Sequence, residues 1–498
     1  MKNEMVQNLN AGQYRTFTEN GAAAYSSAAA GSLLDLFSLA GSMRSRIHDI
    51  SSMFASALCE DRLLAVKLAF YTRDVRGGLG ERDAGRMMFQ TLSNLFPEVM
   101  KKNLAFIPEY GRYDDLVSLL DTRVKTDVLA LLKEQLEKDI EAMKKGEPVS
   151  LLAKWLPSVN TSSLKTRKKA RMIASSLGLS EREYRKILSA LRSYMNVTEV
   201  RLSAKDYELI RYEAVPSYAM MKYRNAFAKH DRERFGQYMS DVSEGRKAIH
   251  SDTLYPYDLV SKYCSGLMTD FLSCGWFGIK DEDEIVEAQW KALPEYLSDE
   301  VNTLVMVDIS GSMYGRPMAT STGLGIYFAE RMKGAFHNRI MLFAEHPAFI
   351  ELKGSTLREK LIQILSQDIG YSTDLEAAFS LVLDAAVKNH MKNEDLPERI
   401  VVISDGEINA LRESTDWLFM DEMKRRFERA GYRLPDLVLW NVESRQNTFH
   451  ALSDTENVQM CSGQSISVFK TLTDCLHMTP YEYMIHVLNN PRYECITV

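Results

Sequence analysis

The stretch Asn302–Met313, with the sequence NTLVMVDISGSM, constrains the fold of this chain more than any other. Its short apolar run, Leu304–Val307, is typical of a strand that is buried on both faces of a parallel sheet. Asp308, Ser310 and Ser312 follow at every second position on the turn that leaves the strand. Hard oxygen donors at the carboxyl end of a parallel strand suit Mg²⁺, which prefers octahedral oxygen ligands. The sequence therefore predicts a metal-binding turn, and the alternative is a helix cap without an ion.

Composition and charge indicate a large globular chain. Its 498 residues suffice for two or three domains. The formal net charge of −6 argues against a uniformly basic nucleic-acid coat, but it is compatible with a local basic face or pore. The six cysteines lack C-x-x-C spacing, so neither a zinc site nor a disulfide framework is indicated. The polar N-terminus and the absence of long uncharged apolar runs lead us to expect a cytoplasmic protein without membrane contact.

The first three hundred residues have the pattern of a helical region behind a polar arm. Residues 1–30 are polar and then alanine-rich, which predicts a flexible arm. Over residues 31–299, apolar side chains recur at three- and four-residue steps between short Gly or Pro turns, and the first helix is predicted to begin near Ser32. The period is irregular, but stacked helical pairs with a concave binding surface fit this pattern better than a compact bundle.

A glycine cluster, RDVRGGLGERD, occupies Arg73–Asp83 within this helical region. It follows a helical run instead of a strand and lacks the lysine and hydroxyl pair of a Walker loop, so we predict a turn between two helices. Its charged flank consists of Arg73, Arg76, Arg82 and Arg86 together with Asp74, Glu81 and Asp83. These guanidinium groups are able to bind phosphate, but pairing with the neighbouring carboxylates is the favoured interpretation.

The densest basic segment is KTRKKAR, residues Lys165–Arg171, which follows AKWLPS and its residues Lys154 and Trp155. Nucleic-acid bases stack on aromatic rings while lysine and arginine hold phosphates, so this segment is the best candidate for contact with structured or single-stranded RNA. The candidate RNA-binding residues are Lys154, Lys165, Arg167, Lys168, Lys169 and Arg171. A solvated helix face is an equally open interpretation of the same segment.

Strand and helix patterns alternate from Asn302 to about residue 478. NRIMLFA and AFIELK form an adjacent strand pair, and RIVVISDGEI, DLVLWNV and NVQMCSG form further strands with helical segments between them. The alternation predicts a doubly wound parallel sheet with right-handed crossovers and with ligands over the carboxyl ends of its strands. We expect residues 300–478 to fold alone, with the tail 479–498 dispensable or packed on the helical part.

Several motifs together resemble those of the TROVE-plus-von Willebrand A proteins, the group that includes the Ro ribonucleoprotein autoantigen. They are FYTRDVRGGLGERD, IPEYGRYDDL, AKWLPS, VPSYAMMKYRNAF with HDRERF, DISGSM and SDGEI, and they occur in the order expected for this group. Within it, the chain is most similar to a domain-of-unknown-function branch. The resemblance covers the chain from about residue 30 onward. It implies HEAT-like helical repeats over residues 31–299 that bind structured or misfolded RNA, followed by a von Willebrand A domain over 300–478.

The resemblance also implies a complete metal-ion-dependent adhesion site. Asp308, Ser310 and Ser312 match its first loop, while Thr373 and Asp405 match the second and third loops. Ser310 and Ser312 would then coordinate Mg²⁺ through their hydroxyls, Thr373 directly or through water, and Asp308 and Asp405 through coordinated waters. Mn²⁺ and Ca²⁺ are alternative ions. One coordination position stays open, and a carboxylate from a protein partner is suited to it.

Binding is the function that these features favour, as a helical scaffold with a Mg²⁺-dependent recognition domain that also engages RNA. A Mg²⁺-dependent phosphoester hydrolase is the competing class. Neither a second acidic cluster, nor a placed histidine base, nor a G-x-S-x-G elbow is visible in the sequence, so we expect no enzymatic activity. A structural assembly protein with a vestigial metal site is a third interpretation. Ser372 remains an alternative to Thr373, while Asp374 and Glu407 are given no ligand role.

Overall fold

The computed structural model describes residues 12–28, 31–264, 279–297, 301–343, 345–367, 372–412, 418–472 and 475–498. Within these ranges, an N-terminal region dominated by helices precedes a C-terminal region built on a mixed β-sheet. None of the helices in these ranges combines the length and the apolar character needed to cross a membrane.

The N-terminal segment differs from the flexible arm predicted for residues 1–30. Its described part, residues 12–28, forms an antiparallel hairpin of β1 (Arg15–Phe17) and β2 (Ala23–Tyr25). The side chains of residues 22–25 and of Ala28 are buried. The alanine-rich sequence therefore forms a close-packed surface, because small side chains allow the hairpin to lie directly on its neighbours. Residues 1–11 and 29–30 of the predicted arm lie outside the described residues.

The N-terminal region is helical, as its periodicity predicts. Its α-helices are α1 (Ser32–Leu39), α2 (Asp49–Glu60), α3 (Arg62–Arg73), α4 (Arg82–Leu95), α5 (Pro97–Asn103), α6 (Ile107–Tyr110), α7 (Tyr113–Ser118), α8 (Lys125–Lys145), α9 (Leu152–Trp155), α10 (Leu164–Ser176), α11 (Glu181–Tyr194), α12 (Thr198–Ala204), α13 (Ser217–His230), α14 (Arg232–Ser243), α15 (Pro256–Tyr263) and α16 (Glu284–Lys291). In α4 the residues Met88, Phe89 and Leu92 are buried at helical spacing. A capping box of Ser180 and Glu183 begins α11. Contacts such as α1–α2, α2–α3 and α3–α4 join helices that are close in sequence.

The glycine cluster forms the turn between α3 and α4, so the prediction of a helix-to-helix turn is confirmed. A Cβ atom at Gly78 would collide with the carbonyl oxygen of Tyr71, and one at Gly80, which has φ of +69°, would collide with the hydroxyl of Tyr255. These glycines are therefore explained by the close approach of neighbouring chain segments.

Ion pairs within the chain do form around this turn, although their main partners differ from those predicted. Arg82 pairs with Asp83 at 3.2 Å, as the sequence suggested. Arg73 and Arg86 instead contact Asp115, at 2.8 and 2.6 Å. This carboxylate belongs to α7, and folding brings it to the turn, so sequence proximity could not identify it.

The C-terminal sheet has the strand order β5-β4-β3-β6-β7-β8 in the described residues. The strands are β3 (Thr303–Asp308), β4 (Arg339–Phe343), β5 (Ala348–Glu351), β6 (Arg399–Ser404), β7 (Asp436–Asn441) and β8 (Val458–Ser462). Neighbouring strands are parallel except for β4 and β5, which are antiparallel. The sheet is therefore mixed, whereas the sequence predicted a parallel one. Residues 344–347 are too few for the crossover that a parallel connection needs.

The two central strands, β3 and β6, are buried along their whole length, as expected for strands covered on both faces. The helices of this region are α17 (Arg316–Arg331), α18 (Leu357–Leu365), α19 (Leu375–Lys388), α20 (Phe419–Arg429), α21 (Val468–Leu472) and α22 (Pro480–Leu488). Helix α17 packs on β3, β4 and β6. The chain runs from β3 outward to β5 and then returns to β6 and outward to β8. The crevice between β3 and β6 is therefore a topological switch point, where ligands of such sheets bind.

Segments outside residues 300–478 pack against the β8 edge of the sheet region. Helices α1 and α22 both pack on β8, and α22 also contacts α3. The backbone N–H of Tyr25 in the hairpin donates to the carbonyl of Phe449 at 2.9 Å. One hydrophobic core includes residues from Ala22 to Ile496. The sheet region and the helical region thus share a continuous interior.

Candidate functional site

The first predicted metal loop lies at the carboxyl end of β3. Asp308 is the last residue of this strand, and both Asp308 and Ser310 are fully buried. The carboxylate of Asp308 accepts hydrogen bonds from the Ser310 N–H at 2.9 Å and from the Ser404 hydroxyl at 2.7 Å. The hydroxyl oxygens of Ser310 and Ser312 lie 3.2 Å apart. The D-x-S-x-S sequence therefore brings three oxygen-bearing side chains together on one turn.

The third loop places a second buried carboxylate at the same edge. Asp405 directly follows β6 and is 1% exposed. Its Oδ1 accepts a hydrogen bond from the Glu407 N–H at 3.1 Å. Its Oδ2 is buried and has no hydrogen-bond donor among the described residues. The guanidinium of Arg445 approaches Oδ2 to 3.8 Å, beyond hydrogen-bonding distance.

Both carboxylates are held in an environment that disfavours their ionised forms. Burial raises the pKa of Asp308, and the negative charge of Asp405 raises it further, against the lowering effect of its hydrogen bonds. Burial likewise raises the pKa of Asp405, although the Glu407 N–H, the nearby Ser312 hydroxyl and the positive charge of Arg445 lower it. Two buried carboxylates are unfavourable as ions unless a cation compensates them. This arrangement is the electrostatic environment that a divalent cation would stabilise.

The backbone of the second loop contacts the backbone of the third loop. Thr373 is 1% exposed and precedes α19, and its carbonyl accepts a hydrogen bond from the Asn409 N–H at 3.0 Å. Ser372, the alternative, is half-buried. Asp374 caps α19 by accepting from the Ala377 N–H at 2.8 Å. Its carboxylate thus has a structural role as the helix cap. Residues 368–371 lie outside the described residues.

The donor set fits a small hard cation better than a transition metal. Hydroxyl and carboxylate oxygens are the ligands that Mg²⁺ accepts, and Mg²⁺ keeps several of its waters. Across the part of the chain that the structure describes, no group of three or more His, Cys, Asp or Glu side chains is arranged to hold a metal. A cation at this edge would therefore depend on serine and threonine oxygens and on waters.

One charged residue at this edge, Arg445, was not predicted from the sequence. Its Nη2 donates to the carbonyl oxygen of Ser312 at 2.5 Å, and its Nη1 donates to the carboxylate of Glu19 at 3.3 Å. Arg445 belongs to the loop after β7, outside any local motif. Its only available signal was its position beyond the carboxyl end of a predicted strand.

The structure separates the residues predicted to bind RNA. Lys165, Arg167, Lys168, Lys169 and Arg171 lie on α10, whereas Lys154 lies on α9. Lys169 pairs with Asp121 at 3.0 Å and Arg171 with Glu181 at 2.8 Å. Lys165 and Lys168 are exposed. Lys154 lines a cavity whose walls include none of the five predicted residues on α10.

This cavity has a volume of about 2610 Å³ and is lined by residues of both regions. Its walls contain eleven Lys and Arg residues against seven Asp and Glu residues, a formal charge of +4 in a chain whose net charge is −6. The guanidinium of Arg112 lies 4.3 Å from the ring centre of Trp155, and the ammonium of Lys154 lies 5.6 Å from it. The cavity thus combines positive charge with an aromatic side chain.

Comparison with known proteins extends over both regions. Residues 123–302 match a family model described as Domain of unknown function (DUF2828), and residues 302–486 match Domain of unknown function (DUF7788). The two matches meet at the residue before β3. The chain is also similar to the Uncharacterized protein L728 of Acanthamoeba polyphaga mimivirus. The two are 29% identical over 518 residues, which cover 95% of this chain and 87% of the relative.

Proposed function

We propose that the sheet region binds a divalent cation, Mg²⁺ in the first instance, and uses it to recognise a carboxylate on a protein partner. One observation carries the proposal: Asp308 and Asp405 are both buried at the switch point between β3 and β6, and Asp405 Oδ2 has no hydrogen-bond donor in the described chain. A cation held by Ser310, Ser312 and Thr373 would compensate both charges. Mn²⁺ and Ca²⁺ are the alternative occupants.

The same proposal assigns the sheet region to the von Willebrand A type and the helical region to the TROVE type with HEAT-like repeats. The switch-point position of the three loops supports the first assignment. The predominance of contacts between helices close in sequence supports the second. The function that we propose is binding, without turnover.

Electron paramagnetic resonance with Mn²⁺ tests the cation site. We expect wild type to bind one Mn²⁺ per chain and the Asp308→Asn variant to bind none, because the variant removes a charge without changing side-chain volume. A matched control is Asp384→Asn on α19, which should bind as wild type does. Equal binding by wild type and Asp308→Asn would refute the site. Mn²⁺-dependent hydrolysis of a phosphoester, lost in Asp308→Asn, would favour the hydrolase instead.

RNA binding is a second proposed function, supported by the composition of the cavity. Its basic walls and the Trp155 ring, which Arg112 contacts, suit a polyanion with flat bases, of which single-stranded RNA is the natural example. Of the residues predicted to bind RNA, Lys154 lines this cavity. The exposed Lys165 and Lys168 on α10 remain candidates for contacts outside the cavity.

Two pairs of variants separate these RNA surfaces. We expect a single-stranded RNA oligonucleotide to bind with an affinity that falls steeply with salt. Replacing Lys154 and Trp155 by Ala should weaken binding by about 1–3 kcal/mol for each stacked base that is lost. Lys165→Glu with Lys168→Glu should weaken it less if the cavity is the main site. No retention of RNA by wild type, even at low salt, would refute this function.

A further inference from the structure

Two charged residues at the mouth of the proposed cation site, Glu19 and Arg445, have no role in the function proposed above. Glu19 lies in the turn between β1 and β2, and Arg445 lies in the loop after β7. Their side chains are 49% and 39% exposed, whereas the side chain of Asp405 beside them is fully buried. They are therefore accessible to an incoming ligand, which Asp405 is not.

The turn that carries Glu19 is fixed on the loop that follows β6. The Thr18 hydroxyl donates to the carbonyl of Ile408 at 2.8 Å, and the Glu19 N–H donates to the carboxylate of Glu407 at 2.6 Å. These contacts hold the backbone of the turn. The side chain of Glu19 extends from it toward Arg445.

Arg445 contacts three residues at the mouth of the proposed cation site. Its Nη2 donates to the carbonyl of Ser312 and lies 3.8 Å from Asp405 Oδ2. Its Nη1 donates to Glu19 at 3.3 Å. A guanidinium presents a planar fork of donors that matches a carboxylate. One arm of this fork, Nη1, now bonds a carboxylate that the chain itself supplies, and the other arm bonds the Ser312 carbonyl.

We propose that Arg445 is the second anchor for the carboxylate of a partner, an acidic peptide, and that Glu19 is the internal carboxylate which the partner displaces. This inference rests on the proposed cation site, since an incoming acid would be held by the cation and by Arg445 together. Exposed ion pairs of this kind change an equilibrium by only about 1.4- to 5-fold. Glu19 is therefore a displaceable competitor and not a permanent block.

Acetate is the probe that tests this proposal on the full-length, Mn²⁺-loaded protein. Its binding is followed by the loss of Mn²⁺-coordinated water in proton relaxation measurements, and Mn²⁺ binding itself by paramagnetic resonance. Glu19→Gln should tighten acetate binding about two- to fivefold, because it removes the competing charge. Arg445→Gln should weaken acetate binding about tenfold, because it removes a charge-assisted hydrogen bond. The control Glu98→Gln, at another exposed glutamate, should leave acetate binding unchanged.

The outcomes separate this inference from the function on which it rests. Failure of wild type to bind Mn²⁺ would overturn the cation site and the inference together. Mn²⁺ binding by wild type and both variants, with identical acetate affinities in all three, would overturn the inference alone. Weaker acetate binding by Glu19→Gln would also overturn it, since a competitor cannot aid the ligand that it excludes.

Discussion

Buried aspartates in the helical region and in the sheet region have different surroundings. In the helical region, Asp115 is fully buried and contacts the guanidinium groups of Arg73 and Arg86 at 2.8 and 2.6 Å. In the sheet region, Asp308 and Asp405 are equally buried but accept their hydrogen bonds from hydroxyl and N–H groups. The first carboxylate contacts two guanidinium groups directly, whereas the nearest one to Asp405, that of Arg445, stays 3.8 Å from its Oδ2.

The contrast has an energetic consequence. Removing one partner of a buried ion pair leaves the other charge uncompensated, which costs about 3–5 kcal/mol. Removing a buried carboxylate that has no close cation takes away a charge that was itself unfavourable. Equal substitutions in the two regions should therefore have unequal effects on stability.

The largest effect should come from isolating the sheet region as residues 300–478. Such a fragment lacks α1 and α22, which pack on β8, and the hairpin that contacts Phe449. We therefore expect it to aggregate or to lack a cooperative unfolding transition, in contrast to the autonomous folding that the sequence suggested. Size-exclusion chromatography and circular dichroism measure this. A monomeric fragment with a cooperative unfolding transition would show that the sheet region folds without the helices and the hairpin that pack on it.

Asp115→Ala should produce the next largest effect. It leaves Arg73, which is 1% exposed, without its carboxylate, so the free energy of unfolding should fall by about 3–5 kcal/mol. Asp114→Ala is the matched control. Its side chain is 25% exposed, so its loss should cost about 1 kcal/mol or less. Urea denaturation compares the two variants. Equal destabilisation by Asp115→Ala and Asp114→Ala would show that the buried, paired carboxylate stabilises the fold no more than the exposed one.

Magnesium should stabilise wild type through the sheet region. At a concentration of about 100 times its dissociation constant, a ligand that binds only the folded state contributes about 2.7 kcal/mol. Replacing Ser310 and Ser312 by Ala deletes two proposed ligands without adding volume, so this variant should melt at the same temperature with Mg²⁺ and with chelator. Thermal melts under both conditions measure the difference. A wild-type melting temperature that is the same with Mg²⁺ and with chelator would contradict the proposed site.

Asp308→Asn should have the smallest effect when chelator is present. Asn has nearly the same shape, and its amide can keep both neighbours of Asp308 satisfied, so the free energy of unfolding should change by about 1 kcal/mol or less. This result would contrast with that of Asp115→Ala in the same urea assay. A loss of about 3 kcal/mol or more would instead mark Asp308 as a structural carboxylate.

The parts of the structure that depend on local sequence were predictable. Strand β3 and its turn were found because an apolar run ends directly at Asp308, Ser310 and Ser312. The glycine turn was found because helical periodicity surrounds it. Thr373 and Asp405 were placed by family resemblance, since neither residue stands out from its own neighbours. The position of Asp405 beside the first loop follows from the adjacency of β3 and β6.

Contacts that arise only after folding were not predictable. Glu19 and Arg445 are 426 positions apart in sequence, so no spacing rule links them. The sequence predicts a flexible arm for the alanine-rich segment because the burial of this segment depends on the sheet region, which is distant in sequence. Closeness in sequence predicts one basic surface for Lys154 and α10, yet the cavity wall includes only Lys154 of the predicted set.

The most direct test of the central claim is titration calorimetry of the full-length protein with Mg²⁺. In the proposed site, one cation compensates the buried carboxylates of Asp308 and Asp405, so wild type should bind one Mg²⁺ per chain. The Ser310→Ala/Ser312→Ala variant should show no binding, while Ser240→Ala/Ser243→Ala on α14 should bind as wild type does. Equal heats and stoichiometry for wild type and the Ser310→Ala/Ser312→Ala variant would contradict the claim, as would the absence of any binding to wild type.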